Sequence, residues 1–286
     1  MTNHGERTQH RMFMDTVEAA AAAAEKKTTA LHTSISRYLI TSALAGAYVG
    51  FGISLVFAIG APLAKAGSPF LKLVMGASFG IALTLVVFAG SELFTGNALV
   101  LTLGALTGRS TWKQLGSVWG WSYLGNLLGC LGLAWLLAQS GAFAGDPQKA
   151  FVESSVITKM HLDFGAALAR GILANWLVCL AVWCSMRTKS DAAKLIIIFW
   201  CLFGFIGAGF EHSIANMTLM ALALFQPHPD AISWLGYVQN LAPVTLGNII
   251  GGAVFVGCAY WFTSAVKKPQ PVMVIQPAVE PAEAAA

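Results

Sequence analysis

An all-α integral membrane protein of six transmembrane helices, arranged as an inverted three-plus-three repeat with broken second and fifth helices, is the fold this sequence dictates. Composition, the spacing of apolar runs and one pair of matching polar interruptions lead to it. Of 286 residues, 56% are hydrophobic and 10% charged, far from the mix of a soluble domain of this length. The opening "MTNHGERTQHR" carries charges and no apolar run, so a cleaved secretory signal is not expected. Cys130, Cys179, Cys184, Cys201 and Cys258 lie in apolar segments without CxxC or metal-ligand spacing, and read as small buried hydrophobes. The net charge of +4 is gathered at tails and loops. That fits orientation in a bilayer rather than nucleic-acid binding.

A bilayer-crossing helix needs about 20 mainly apolar residues. Such runs occur at 38–60, 70–106, 114–138, 164–186, 193–226 and 240–266. Polar or turn-forming stretches separate them: "APLAKAGSP", "TGRSTWK", "GAFAGDPQK", "RTKSD" and "QPHPD". Ser190 or Asp191 is placed to cap the fifth span. Of the 17 Lys and Arg residues, five (Lys65, Lys72, Lys149, Lys159, Arg170) fall on the side opposite the N-terminus. The other twelve share the side of the N-terminus, so both termini are expected in the cytoplasm. Residues 1–34 form an N-terminal cytoplasmic segment in which 12–31 has helix-forming composition, with Met12, Phe13 and Val17 on one apolar face. It reads as a simple anchor, a surface helix under the membrane or a gate. The Pro- and Ala-rich stretch 267–286 reads as a disordered cytoplasmic tail.

Two runs are too long for one crossing. Phe70 to Leu106 is 37 residues, about 55 Å as a straight helix against a hydrocarbon core of about 30 Å. The run 193–226 has the same excess, and each holds a polar interruption near its middle. "GSELFTGN" (90–97) and "GFEHSIAN" (209–216) share Gly, Glu and Asn in one register, at an offset of 119 residues. "YLGNLLG" (123–129) and "TLGNIIG" (245–251) follow at an offset of 122. The chain is therefore read as a duplication, with halves at about 35–140 and 160–266 inside a channel domain of 35–266. Three spans per half is odd, so the second half enters the membrane upside down. Unwound backbone is tolerated at membrane depth only where protein or water supplies partners, so two breaks imply a water-lined pathway. The half-helix N-termini at the breaks favour anions.

Glu92 and Glu211 are the acids deep in apolar segments, where a charge costs at least about 2.5 kcal/mol. Substrate or proton handling is one reading. Their equivalence in the repeat favours the other, in which each accepts N–H bonds from its opened loop together with Gly90, Asn97, Gly209 and Asn216. His212 has no counterpart, because Leu93 occupies the equivalent position. It is the one histidine of six inside a predicted span. A neutral imidazole donates a hydrogen bond to an anion, and its unperturbed pKa of about 6.5 lets it lend a proton near neutral pH. Thr95 in the first break either offers a hydroxyl to an oxyanion or caps the loop. Asn126, Asn175 and Asn248 read as interhelical hydrogen-bonding residues. Lys159 either draws anions into an external vestibule or snorkels to the interface. Phe79, Leu83 and Phe205 are candidates for apolar constrictions.

With "GSELFTGN", "KMHLDFGAALARGILANWLVCLAVW", "GFEHSIANM" and "VTLGNIIGG" in view, residues 35–266 resemble the formate/nitrite transporter family, and within it the nitrite branch. The resemblance implies an aquaporin-like fold and a homopentamer with one pore per protomer. It implies pore roles for Thr95, His212, Glu211, Lys159, Asn175 and Asn248. Apolar constrictions are implied at Phe79, Val178 and Phe205 on one side and Leu83, Leu93 and Phe94 on the other. The implied function is a channel or proton-coupled transporter in the bacterial inner membrane, passing small monovalent anions, nitrite first, with formate or hydrosulfide as alternatives. No enzyme activity, cofactor or metal is implied. A haem-binding redox subunit needs two axial ligands at membrane depth, and His212 stands alone. An aquaporin-type neutral-solute channel is suggested by Asn97 and Asn216, each ending its loop, but the loops lack proline and carry Glu and His.

Overall fold

The structure, a computed structural model, describes residues 3–264, so the expectation for the tail at 267–286 lies outside the described residues. The described chain is helical throughout. Helix α1 spans Asn3–Thr33 and α2 spans Ile35–Lys65. The second span consists of α3 (Leu71–Ser78), α4 (Gly80–Leu85) and a π-helical turn at Val86–Gly90, followed by α5 (Phe94–Leu106). Next come α6 (Trp112–Gln139), α7 (Gln148–Met160) and α8 (Phe164–Met186). The fifth span is split into α9 (Asp191–Ala208) and α10 (Ser213–Leu224). The last is α11 (Trp234–Gly252), continued through a π-helical turn, Ala253–Cys258, into α12 (Ala259–Thr263). Among the described residues, six helical stretches, beginning at Ile35, Leu71, Trp112, Phe164, Asp191 and Trp234, are long and apolar enough to cross a membrane.

Capping explains where the helices start. Ser34 accepts from Arg37 N–H, Asp163 from Gly165 and Ala166, Ser190 from Ala193, and Ser233 from Gly236. Thr111 and Gln114 form a reciprocal capping box at the head of α6.

Two helix pairs form the frame: α2 against α6 and α8 against α11. Both rely on glycine for close approach. A Cβ on Gly129 would run into the Ala43 carbonyl, and one on Gly251 into the Ile172 carbonyl. Gly129 and Gly251 are the matched last residues of the two "LGN" motifs. The half-helix of each break crosses to the other half of the sequence, α10 onto α6 and α5 onto α11 and its π turn. In addition, α3 packs on α9. Outward faces carry exposed Ile40, Phe51, Trp135, Ile196, Trp200, Leu235 and Phe262, as expected where lipid or another apolar surface replaces water.

Two elements go beyond the sequence reading. The N-terminal helix extends over Asn3–Thr33 and packs along α5, with contacts to α2, α6, α8 and α12. Val17, Ala20, Ala21, Ala24 and Leu31 form its buried seam, and Phe13 packs on Tyr260 with the Arg187 guanidinium over its ring. Residues 148–160, between the third and fourth predicted spans, form the amphipathic helix α7, which buries Val152, Val156 and Met160.

Candidate functional site

Both interruptions follow one design. The π turn ending at Gly90 and the end of α9 at Gly209 take φ of +80° and +76°, a left-handed conformation that glycine adopts without steric cost. Extended backbone then leads to α5 at Phe94 and to α10 at Ser213. An asparagine in the following long helix satisfies the opened backbone. Asn126 Oδ1 accepts from Phe94 N–H at 2.9 Å, while its Nδ2 donates to the carbonyls of Ser42 (2.7 Å) and Glu92 (2.9 Å). Asn248 accepts from Ser213 N–H at 2.9 Å and donates to Gly171 (2.8 Å) and Glu211 (3.1 Å). Donor for donor, the two clamps are the same.

The glutamate carboxylates do not bind the loop amides, which corrects the sequence reading; the side-chain amides of Asn126 and Asn248 hold the opened backbone instead. Glu211, 5% exposed, accepts from Lys159 Nζ at 2.7 and 2.8 Å and from Asn216 Nδ2 at 2.6 Å. Asn240 extends that network, accepting from Asn216 and donating to the Lys159 carbonyl. Glu92 pairs with Lys27 Nζ at 2.6 Å and accepts from Tyr38 Oη (3.1 Å) and Asn97 Nδ2 (3.4 Å). Each acid, Glu211 buried and Glu92 partly so, is thus matched by a lysine brought in by an amphipathic helix outside the six spans, α1 on one side and α7 on the other. Pairing offsets a desolvation cost that neither charge bears well alone.

The two breaks meet between Thr95 and His212. His212 is the N-cap of α10, and its Nδ1 accepts from Ala215 N–H at 3.3 Å. With Nδ1 an acceptor, the neutral imidazole carries its proton on Nε2, which lies 3.1 Å from Thr95 Oγ1 and donates to it. The Thr95 hydroxyl hydrogen is then free to point elsewhere. The Thr95 carbonyl is held from the second half by Asn175 Nδ2 (3.1 Å) and Cys179 Sγ (3.3 Å). The Phe205 ring stacks 5.9 Å from the imidazole, and Phe79 meets Phe205 edge-on at 5.3 Å.

A cavity of about 760 Å³ opens on the α1 side. Its walls include Lys27, Arg37, Tyr38 and Lys194, and at the first break Gly90, Glu92 and Leu93. Thr95 and His212 do not line it; they are 0% and 4% exposed.

Residues 14–262 match the model of a family described as formate/nitrite transporter. The chain belongs to the formate/nitrite transporter family. Over 267 residues it is 43% identical to a protein named Nitrite transporter NirC from Salmonella typhimurium, covering 93% of this chain and 98% of the relative. A solved structure titled FNT family ion channel superposes with a TM-score of 0.83 at 43% identity, covering 87% of this chain and 98% of that one. Another, titled Pentameric formate channel with formate bound, gives 0.74 at 31% identity, covering 80% and 97%.

In this formate/nitrite transporter family member, several residues singled out from sequence come together in space. Thr95 touches His212 and Asn175; Lys159, Glu211 and Asn216 form one network; Asn248 clamps the second break. Phe79, Leu83, Leu93, Phe94, Val178 and Phe205 are each at most 5% exposed and belong to one core. Phe94 turns its ring toward α6, onto Trp119 and Tyr123. Lys159, expected as a snorkelling or anion-attracting cation, is bound to Glu211. Sequence reasoning missed Lys27, Tyr38 and Asn240. Lys27 left a faint signal, a cation one turn beyond the alanine run that ends at Ala24.

Proposed function

We propose that this protein passes nitrite and similar small monovalent anions across the bacterial inner membrane, with the Thr95–His212 contact as the point where the ion is met. The observation that carries this reading is the meeting of two half-helix N-termini at a hydroxyl and a neutral imidazole, in a chain 43% identical over most of its length to a protein named nitrite transporter. N-terminal N–H groups and the helix dipole favour negative charge. The Nε2–H and the Thr95 hydroxyl add donors without a fixed cation that would hold the ion too long. The apolar side chains Phe79, Val178 and Phe205, and Leu83, Leu93 and Phe94, strip water on either side. Glu211 and Lys159 shape the approach from the α7 side, and Asn175 and Asn248 hold the breaks in place.

The domain reading follows: a six-span channel over 35–266 in two inverted halves, with α1 docked beneath it. The lysine and arginine distribution supports a cytoplasmic location for both termini. The outward apolar side chains suit lipid together with neighbouring subunits, and the pentameric title of a structural relative supports five copies. Proton coupling through His212 would require a proton at Nδ1, which is engaged by Ala215 N–H, so passage of the anion itself is the simpler course.

Formate is the second reading, favoured by the formate-bound relative at 31% identity. Purified protein in liposomes, with initial uptake of nitrite and of formate measured separately and in competition, separates the two. Nitrite is expected to enter faster and to be little inhibited by equimolar formate. Faster formate entry would reassign the substrate.

A further inference from the structure

Tyr123 and Thr245 occupy equivalent positions of the duplicated motifs, each the first residue before "LGN". Their hydroxyl oxygens lie 3.0 Å apart. A residue meets its own counterpart only on a two-fold axis, so this pair lies where the halves turn into one another. Among the described residues theirs is the side-chain hydrogen bond that joins α6 to α11. The two side chains differ in size, and the difference matters for what sits beside them. The Tyr123 ring meets the Phe94 ring edge-on, with centroids 4.9 Å apart and an interplanar angle of 78°. Phe94 is the first residue of α5 and the neighbour of Thr95, and its amide is already fixed by Asn126. Trp119 closes the other side of the ring at 6.4 Å, itself anchored by its Nε1 donating to the Asn97 carbonyl at 3.1 Å. The ring position of Phe94 is therefore set by an aromatic slot on α6, and one wall of that slot is tied to the opposite half of the molecule.

We propose that Tyr123 and Thr245 are positioning residues that set the width of the passage beside Thr95 by holding the Phe94 ring in its edge-on seat. The inference rests on the reading of Phe94 as a constriction. Phenylalanine turns about its first two side-chain torsions, and with its backbone fixed only its neighbours choose among the rotamers. An edge-on aromatic contact is directional, so a Tyr123 ring free to rock no longer specifies one seat for Phe94. The tie also makes selectivity a property of both halves. A change at Thr245 on α11 reaches the passage through the tyrosine hydroxyl.

The test uses full-length protein carrying Tyr123→Phe, Thr245→Val, both together, or Phe94→Leu, reconstituted in liposomes. Initial uptake rates of nitrite and of the larger anion lactate are measured, and their ratio is the readout. Tyr123→Phe keeps the ring and Thr245→Val keeps the shape, so each removes one hydrogen bond and little else. Each is expected to raise the lactate-to-nitrite ratio about two- to tenfold, the factor one net hydrogen bond is worth. The double variant should exceed neither single one, because both remove the same bond. Phe94→Leu should raise the ratio at least as far. A raised ratio for Phe94→Leu with wild-type ratios for the other three overturns the positioning role and leaves the constriction standing. Wild-type ratios for all four, with nitrite still taken up, overturn both.

Discussion

Asn248→Leu is expected to destabilise the purified protein by about 3 kcal/mol, visible as a large drop in thermal unfolding midpoint in detergent. Leucine fills similar volume but has no amide. It leaves the Ser213 N–H and the Glu211 carbonyl without their partner in a region closed to water, and removes the second acceptor bond of the Gly171 carbonyl, which keeps its place in the α8 ladder. An orphaned buried polar group costs about 1–3 kcal/mol, and two are created together. Asn126→Leu should cost a similar amount, because it orphans the Phe94 N–H and the Glu92 carbonyl. A change below about 1 kcal/mol in either would show that the asparagines are not what holds the breaks open.

Lys159→Leu should be nearly as costly, about 3 kcal/mol, because it strands the Glu211 carboxylate at 5% exposure with Asn216 as its remaining hydrogen-bond donor. Removing one member of a buried ion pair costs more than removing both. The double variant Lys159→Leu/Glu211→Gln should therefore recover most of the loss. Lys27→Leu provides the internal comparison. Its partner Glu92 is 19% exposed and borders the 760 Å³ cavity, where water takes over part of the lysine's role. The expected loss is correspondingly smaller, about 1 kcal/mol. Equal losses for Lys159→Leu and Lys27→Leu, or no recovery in the double variant, would mean that desolvation does not govern these pairs.

Which parts of this were legible in the sequence follows from what kind of signal each part leaves. The breaks were legible because excess length and the matched Gly, Glu and Asn of "GSELFTGN" and "GFEHSIAN" mark them independently. Gly90 and Gly209 then took the left-handed conformation that a matched glycine suggests. His212 and Thr95 were each noticeable as polar residues in greasy surroundings, but that they touch depends on the halves folding against each other. The asparagine clamps were half legible. Asn126 and Asn248 read as interhelical hydrogen-bonding residues, yet which backbone they serve is a matter of tertiary placement. The glutamates were assigned the wrong partners, because sequence places the loop amides nearest to them. The lysines that bind them arrive from α1 and α7, more than fifty positions away. Neither helix belongs to the repeat, so comparing the halves could not find them. Helix α7 escaped notice because its mixed polarity fits neither a span nor a glycine-rich loop. Tyr123 and Thr245 escaped for the opposite reason: aligning the halves rewards identity, and their importance lies at a position where the halves differ.

The most direct measurement of the Thr95–His212 assignment is initial nitrite uptake by liposomes containing wild-type protein or His212→Phe, at matched protein content and between about pH 5 and pH 8. Phenylalanine keeps a flat ring against Phe205 and removes the Nε2–H that reaches Thr95. Uptake is expected to fall at least about tenfold at every pH in that range, as for loss of a strong donor in a dry site. Wild-type uptake by His212→Phe across that range would contradict the assignment.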